Sequence, residues 1–176
     1  LKKSSQVKPE DISRLFETVR QKDDMFSFVL YGDLYNQYVE MCKNPTTEYR
    51  QIDDNIHYIR ITEFMRNTSN EFVYAIDSIK NPERAYLVLD LRGNGGGDTN
   101  SGLSILDFLL PECVVCNLIH KDGYTESYYS DIEHIPFRHI FVLTDENTAS
   151  CSELVALGLK TYLDNVTIIG GKTFGK

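Results

Sequence analysis

Three apolar runs, LVLDL at residues 87–91, IFVL at 140–143 and VTII at 166–169, constrain this chain more than any other feature. They are too short for helices and lack the polar alternation of a strand with one wet face, which is the pattern of strands covered on both faces by helices. With their flanks they give expected strands at 56–62, 86–91, 113–119, 139–143 and 166–169. Helical spacing fills the intervals, at 69–80, 101–110 and 150–163. Such alternation of β and α elements predicts an α/β domain built on a largely parallel sheet. Residues 121–136, with Asp122-Gly123 and several tyrosines, read as a hairpin or surface loop.

Residues 1–48 have a different texture and form an expected N-terminal helical segment, with 49–176 as the core. Pro9 and the acidic pair Glu10 and Asp11 suit a helix start for a segment running to Gln21. Leu34, Tyr38 and Met41 form one apolar stripe of a second helix, which stops before Asn44-Pro45.

A net charge of −8 and a pI near 5.0 exclude a nucleic-acid partner, because phosphate binding needs clustered Lys and Arg and only Lys2 and Lys3 adjoin. No apolar run reaches the roughly 20 residues of a membrane span, and the given chain holds no signal-peptide core. Cys113 and Cys116 have the spacing of a metal or redox pair. Without a second Cys or His pair they read instead as small hydrophobes of an apolar strand, so neither a metal nor a cofactor is expected.

Three segments could carry chemistry, each directly after an expected strand, where α/β sheets place their sites. In DLRGNGGGD, residues 90–98, consecutive glycines permit positive φ and close approach of a ligand to main-chain N–H groups. A dinucleotide fingerprint fails because Asp98 stands where its third glycine belongs. ENTASCSEL places Ser150 at the start of a helix, where unpaired N–H groups favour an anion. By itself that serine reads as a helix cap, since Ser150 and Glu153 match the S-x-x-E capping box. GGKTFGK turns through its glycines and carries Lys172 and Lys176. A lysine serving as base needs its pKa lowered by roughly three units, about 4 kcal/mol, which desolvation supplies. A Ser-His-Asp arrangement would have to draw on His134 with Asp131 in the polar loop, while His57 and His139 belong to expected strands and His120 adjoins the hairpin.

Taken in order, YIRITEF, VLDLRGNGGG with a following helix ending in FLLP, TASCSEL and IIGGKTFGK resemble the core of the tail-specific, or C-terminal processing, peptidases of the S41 family. The resemblance covers residues 49–176 and implies a crotonase-like α/β fold (ClpP/crotonase type). It implies a serine endopeptidase acting on unfolded or C-terminally tagged polypeptides, with Ser150 as nucleophile, Lys176 as general base and an acyl-enzyme intermediate. The oxyanion donors it implies are the Gly96-Gly97 turn and Cys151. An extracytoplasmic location, in the cell envelope or secreted, follows from the same resemblance.

The chain departs from the family pattern at Gly95, where relatives often have Pro, and at Cys151, where they have Ala. Lys172 stands where some relatives carry Pro, which makes it the poorer base candidate. The family continues past the lysine with further strands and a Gln that orients it, so the core is expected to be truncated at its C-terminal end; no PDZ module is recognisable before it. Two other readings use the same fold. A non-catalytic module would hold an extended peptide or apolar ligand in the groove, and an acyl-CoA enzyme would need a basic pocket for phosphates.

Overall fold

The structure, a computed structural model, describes residues 7–22, 24 and 27–176; Lys2 and Lys3 lie outside them. Two compact units divide between Asn44 and Pro45. The first holds helices α1 (Pro9–Val19) and α2 (Gly32–Met41), and no residue of either is buried. Pro9 opens α1, with Asp11 accepting Lys8 N–H.

The second unit runs β1 (Thr47–Asp53), β2 (Ile56–Ile61), α3 (Thr68–Asp77), β3 (Tyr86–Asp90), α4 (Thr99–Leu109), β4 (Cys113–Ile119), β5 (Thr125–Ser130), β6 (His139–Thr144), α5 (Cys151–Tyr162) and β7 (Val166–Gly170). Its main sheet has the order β1-β2-β3-β6-β7. Strands β2, β3, β6 and β7 are parallel, and β1 closes one edge antiparallel to β2. β1 is not among the expected strands. Its sequence TEYRQID is almost wholly polar because it is an exposed edge, so no buried run marks it.

Two expectations need correction. The apolar strand β4 is not part of the main sheet but pairs with β5 in a separate antiparallel hairpin, which takes up part of residues 121–136, the segment expected to be a hairpin or surface loop. Nor do the helices described within this unit cover both faces of its main sheet. Every crossover steps the same way, from β2 to β3 to β6 to β7, so right-handed connections bring α3, α4 and α5 to one face. On that face Ile59, Ile61, Leu87, Leu89, Ile140, Val142 and Val166 are buried. On the other, Tyr86, Val88, Phe141 and Leu143 are half-buried and Ile169 is exposed. The missing alternation in these strands therefore records apolar residues on a half-covered face.

The helices pack by their apolar stripes. α3 buries Phe72, Ala75 and Ile76, α4 buries Ile105, Leu106 and Leu109, and α5 buries Val155, Ala156 and Leu159. Each such large aliphatic side chain contributes about 2 kcal/mol of burial. Parallel strands so arranged release their loops at one end of the sheet. Residues 91–98, 145–150 and 171–176 thus leave the carboxyl ends of the adjacent strands β3, β6 and β7, level with one another: Asp90 pairs with Leu143 and Thr144 with Gly170.

Candidate active site

The glycine turn after β3 is held in shape by Asn94, which is fully buried. Its Oδ1 accepts Gly96 N–H at 2.9 Å and its Nδ2 donates to Ile61 O at 2.9 Å. Its own carbonyl accepts Ala149 N–H at 3.0 Å and the Ser152 hydroxyl at 3.1 Å. One asparagine therefore ties the glycine turn to both β2 and the start of α5. Asp145 makes a second tie, its Oδ1 accepting Gly93 N–H at 2.9 Å and the Thr148 hydroxyl at 3.1 Å. The Gly93 N–H, aided by Asn147 N–H and Thr148, holds the Asp145 carboxyl below the usual carboxylate range against the opposing pull of desolvation.

Gly96 (φ 99°) and Gly97 (φ 134°) both use backbone that L side chains rarely adopt. Phe64 N–H donates to Gly96 O at 2.9 Å and Asp98 N–H to Phe64 O at 2.7 Å, a parallel bridge that turns Gly97 N–H to the opposite side. A Cβ on Gly96 would lie 2.8 Å from Ser150 Cβ and 3.0 Å from Cys151 N, so the glycine turn and the serine are in direct contact. Gly96 N–H is spent on Asn94. Among the described residues no hydrogen bond involves Gly97 N–H or Cys151 N–H, the latter being the first amide of α5. Asp98 caps α4 by accepting Ser101 N–H at 2.9 Å, filling the helix start that a phosphate would need.

Ser150 is one of two non-glycine residues with positive φ among the described residues, at φ 57° and ψ −119°. The hydroxyl makes no cap hydrogen bond. A residue so placed costs about 1–3 kcal/mol and is kept only where its surroundings over-determine it. The restraints here are Ala149 N–H on Asn94 and Ser150 N–H on Glu153 Oε2 at 2.7 Å.

The third loop lies alongside. Gly171 N–H donates to Thr144 O at 3.1 Å and Phe174 N–H to Thr148 O at 2.9 Å. Gly175 N–H reaches Glu153 Oε1 at 2.7 Å, and Lys176 N–H reaches Glu153 Oε2 at 3.0 Å. Ser150 and Lys176 thus meet at one carboxylate oxygen through their main chains. The Lys176 residue itself is exposed, whereas the base role expected of it requires a desolvated amine. Lys172 is exposed as well, on the stretch nearer β7.

The histidines lie elsewhere. His57 and His139 stand at the amino ends of β2 and β6, and the length of β6 separates the latter from the Ser150 end by about 15 Å. His57 is buried with its Nδ1 2.9 Å from the Tyr49 hydroxyl. His120 faces Glu126 within the β4–β5 hairpin, and His134 follows it. Cys113 Sγ lies 3.2 Å from the Ser130 hydroxyl in that same hairpin.

Residues missed by sequence reasoning are Asn94, Asp145 and Asp90. An asparagine among glycines after a buried strand is a signal for a side chain closing the turn. Asp90, 1% exposed at the end of β3, accepts the Tyr58 hydroxyl at 2.7 Å and Arg92 Nε and Nη2 at 2.9 and 2.6 Å. Burial pushes its pKa up, but the Arg92 and Tyr58 hydrogen bonds outweigh that and hold it at about 2. A folded-state pKa below the unfolded value stabilises the fold above about pH 4, and the gain fades as pH falls toward 2. We expect about 2 kcal/mol of stability to vanish over that window, read as a falling urea midpoint. In Asp90→Asn that part of the acid dependence is absent.

Comparison with solved structures defines the class. The chain matches the photosystem II D1 C-terminal processing protease with a TM-score of 0.62 and 31% identity, covering 69% of this chain and 31% of that one. It shares its fold with a lipoprotein from Streptococcus agalactiae, at a TM-score of 0.65 and 22% identity over 97% of this chain and 64% of the other. Among curated proteins, the carboxyl-terminal-processing protease of Synechocystis sp. is 34% identical over 131 residues, 72% of this chain and 30% of the relative. The carboxy-terminal processing protease CtpA of Bacillus subtilis is 33% identical over 125 residues, 70% and 27% respectively. The model of peptidase family S41 matches residues 55–176, and the chain belongs to that family. It spans about a quarter to a third of the length of the curated relatives it matches.

Proposed function

We propose that this chain is the catalytic core of a serine endopeptidase that cleaves unfolded or C-terminally tagged polypeptides through a Ser150–Lys176 dyad. The observation that carries the reading is the convergence of three loops at the carboxyl end of the sheet, with a strained serine pressed against a glycine turn. The relatives from Synechocystis sp. and Bacillus subtilis, named as carboxyl-terminal-processing proteases, suggest the substrate class. The family resemblance likewise supplies an extracytoplasmic site of action.

In this mechanism Ser150 Oγ attacks the scissile carbonyl carbon while its proton passes to the neutral Lys176 amine. The carbonyl oxygen gains the negative charge and accepts Gly97 N–H and Cys151 N–H, with Gly96 framing the turn rather than donating. Collapse breaks the C–N bond, the Lys176 ammonium protonates the departing amine, and an ester to Ser150 remains. Water, deprotonated by Lys176, then attacks the ester and frees Ser150.

The test is cleavage of casein and of a peptide with an apolar C-terminus by the full-length protein, together with mass spectrometry after a fluorophosphonate. Cleavage and a single adduct on Ser150 are expected. Peptide binding with neither would overturn the reading in favour of a non-catalytic module.

A further inference from the structure

Glu153 occupies the third position of α5, where a carboxylate favours the positive end of the helix. Its oxygens, however, are not spent on the helix alone. Oε2 accepts both Ser150 N–H at 2.7 Å and Lys176 N–H at 3.0 Å, and Oε1 accepts Gly175 N–H at 2.7 Å. The Thr173 side chain bonds to it too. Gly175 has φ 84°, a conformation that lets two successive N–H groups point into one concavity and hold an anion. Here the anion is a side chain of the same domain.

The consequence is geometric. The Ser150 and Lys176 nitrogens share one oxygen, so neither can be further from the other than the two bond lengths combined. Phe174 N–H on Thr148 O also fastens the third loop to the serine turn. That bond lies on the amino-terminal side of Gly175, whose backbone, at φ 84°, has more conformational freedom than that of any other residue type. We propose that Glu153 is the positioning residue that locks the register between the nucleophile turn and the lysine loop. The proposal rests on the Ser150–Lys176 reading above and deepens it. Glu153 touches main-chain N–H groups and not the reacting atoms.

Burial pushes the Glu153 carboxyl up, but the Thr173, Gly175, Ser150 and Lys176 hydrogen bonds outweigh it and lower its pKa on balance. Four donors converging on one carboxylate require an acceptor-only group, because an amide nitrogen would face N–H groups it cannot bond. Glu153→Gln keeps the length and shape and loses that capacity. Glu153→Asp keeps the charge and the favourable place in the first helical turn but falls one methylene short of residues 175 and 176.

The experiment measures kcat, KM and the rate of Ser150 acylation by a fluorophosphonate in the full-length wild type, Glu153→Gln and Glu153→Asp, with thermal midpoints alongside. Misplacing a catalytic group by about 1 Å costs about 10²-fold in rate, so kcat and the acylation rate should fall together by that order in Glu153→Gln. KM should stay within about threefold, since no substrate contact is removed. Glu153→Asp should fold like the wild type and still lose kcat, which a mere helix-start role would not cause. Wild-type kcat and acylation per folded molecule in either folded variant would overturn the positioning role alone. A wild type that neither cleaves nor forms a Ser150 adduct would overturn the peptidase reading, and this inference with it.

Discussion

Ser150→Ala should lower kcat for polypeptide cleavage by at least about 10⁴-fold while leaving the fold in place. The attacking oxygen is removed outright, and what survives is the contribution of the amide donors and substrate binding. A serine at a helix start usually costs about 0.5–2 kcal/mol when replaced by alanine. Here the hydroxyl makes no cap hydrogen bond, so that cost does not arise and the thermal midpoint should stay within about 2 °C. Ser150→Gly sharpens the test. Removing Cβ relieves backbone held at φ 57°, so this variant should be equally inactive and about 1 kcal/mol more stable. A Ser150→Ala protein that cleaves casein at the wild-type rate would end the case for this serine as nucleophile.

Gly97→Ala carries the second large expected effect, acting on both rate and stability. A Cβ at residue 97 would be driven into the Phe64 carbonyl, far inside van der Waals contact, on backbone at φ 134°. The bridge made by Phe64 N–H to Gly96 O and Asp98 N–H to Phe64 O cannot persist with a methyl group there. Gly97 N–H then swings from the position where an oxyanion would form. Loss of one such donor costs about 10²–10³-fold in kcat, and the strain lowers the melting temperature by about 5–10 °C. Gly95→Ala is the control, because nothing lies within 4 Å of its would-be Cβ and its φ is not in the positive range. It should behave as the wild type. Activity in Gly97→Ala within a few-fold of Gly95→Ala would remove that amide from the mechanism.

Much of this arrangement was legible in the chain. Strands β3, β6 and β7 declare themselves by the apolar runs LVLDL, IFVL and VTII, β2 by the isoleucines of IHYIRI, and helices α3 to α5 by apolar spacing. β1 was not legible, since an exposed edge strand needs no apolar residues. β4 was legible as a strand but not as a member of a separate hairpin, because local pattern carries no information about partners. The family resemblance implied Gly96 as a donor together with Gly97, yet its N–H is taken by Asn94, two residues away. Glu153 presented itself as half of a capping box. Its longer reach to Gly175 and Lys176 depends on β7 lying beside β6, which no spacing of residues reveals.

By itself the sequence determined the periodicities, hence the elements, and the residue types able to bear positive φ or nucleophilic chemistry at their ends. Which elements became neighbours was decided only by the tertiary structure. Right-handed crossovers stepping in one direction put three helices on one face and three loops at the carboxyl end of the sheet. The physical reason is that periodicity is set by each residue's own burial, whereas the meeting of the Gly96 turn, the Ser150 turn and the end of the third loop depends on contacts between segments far apart in the chain.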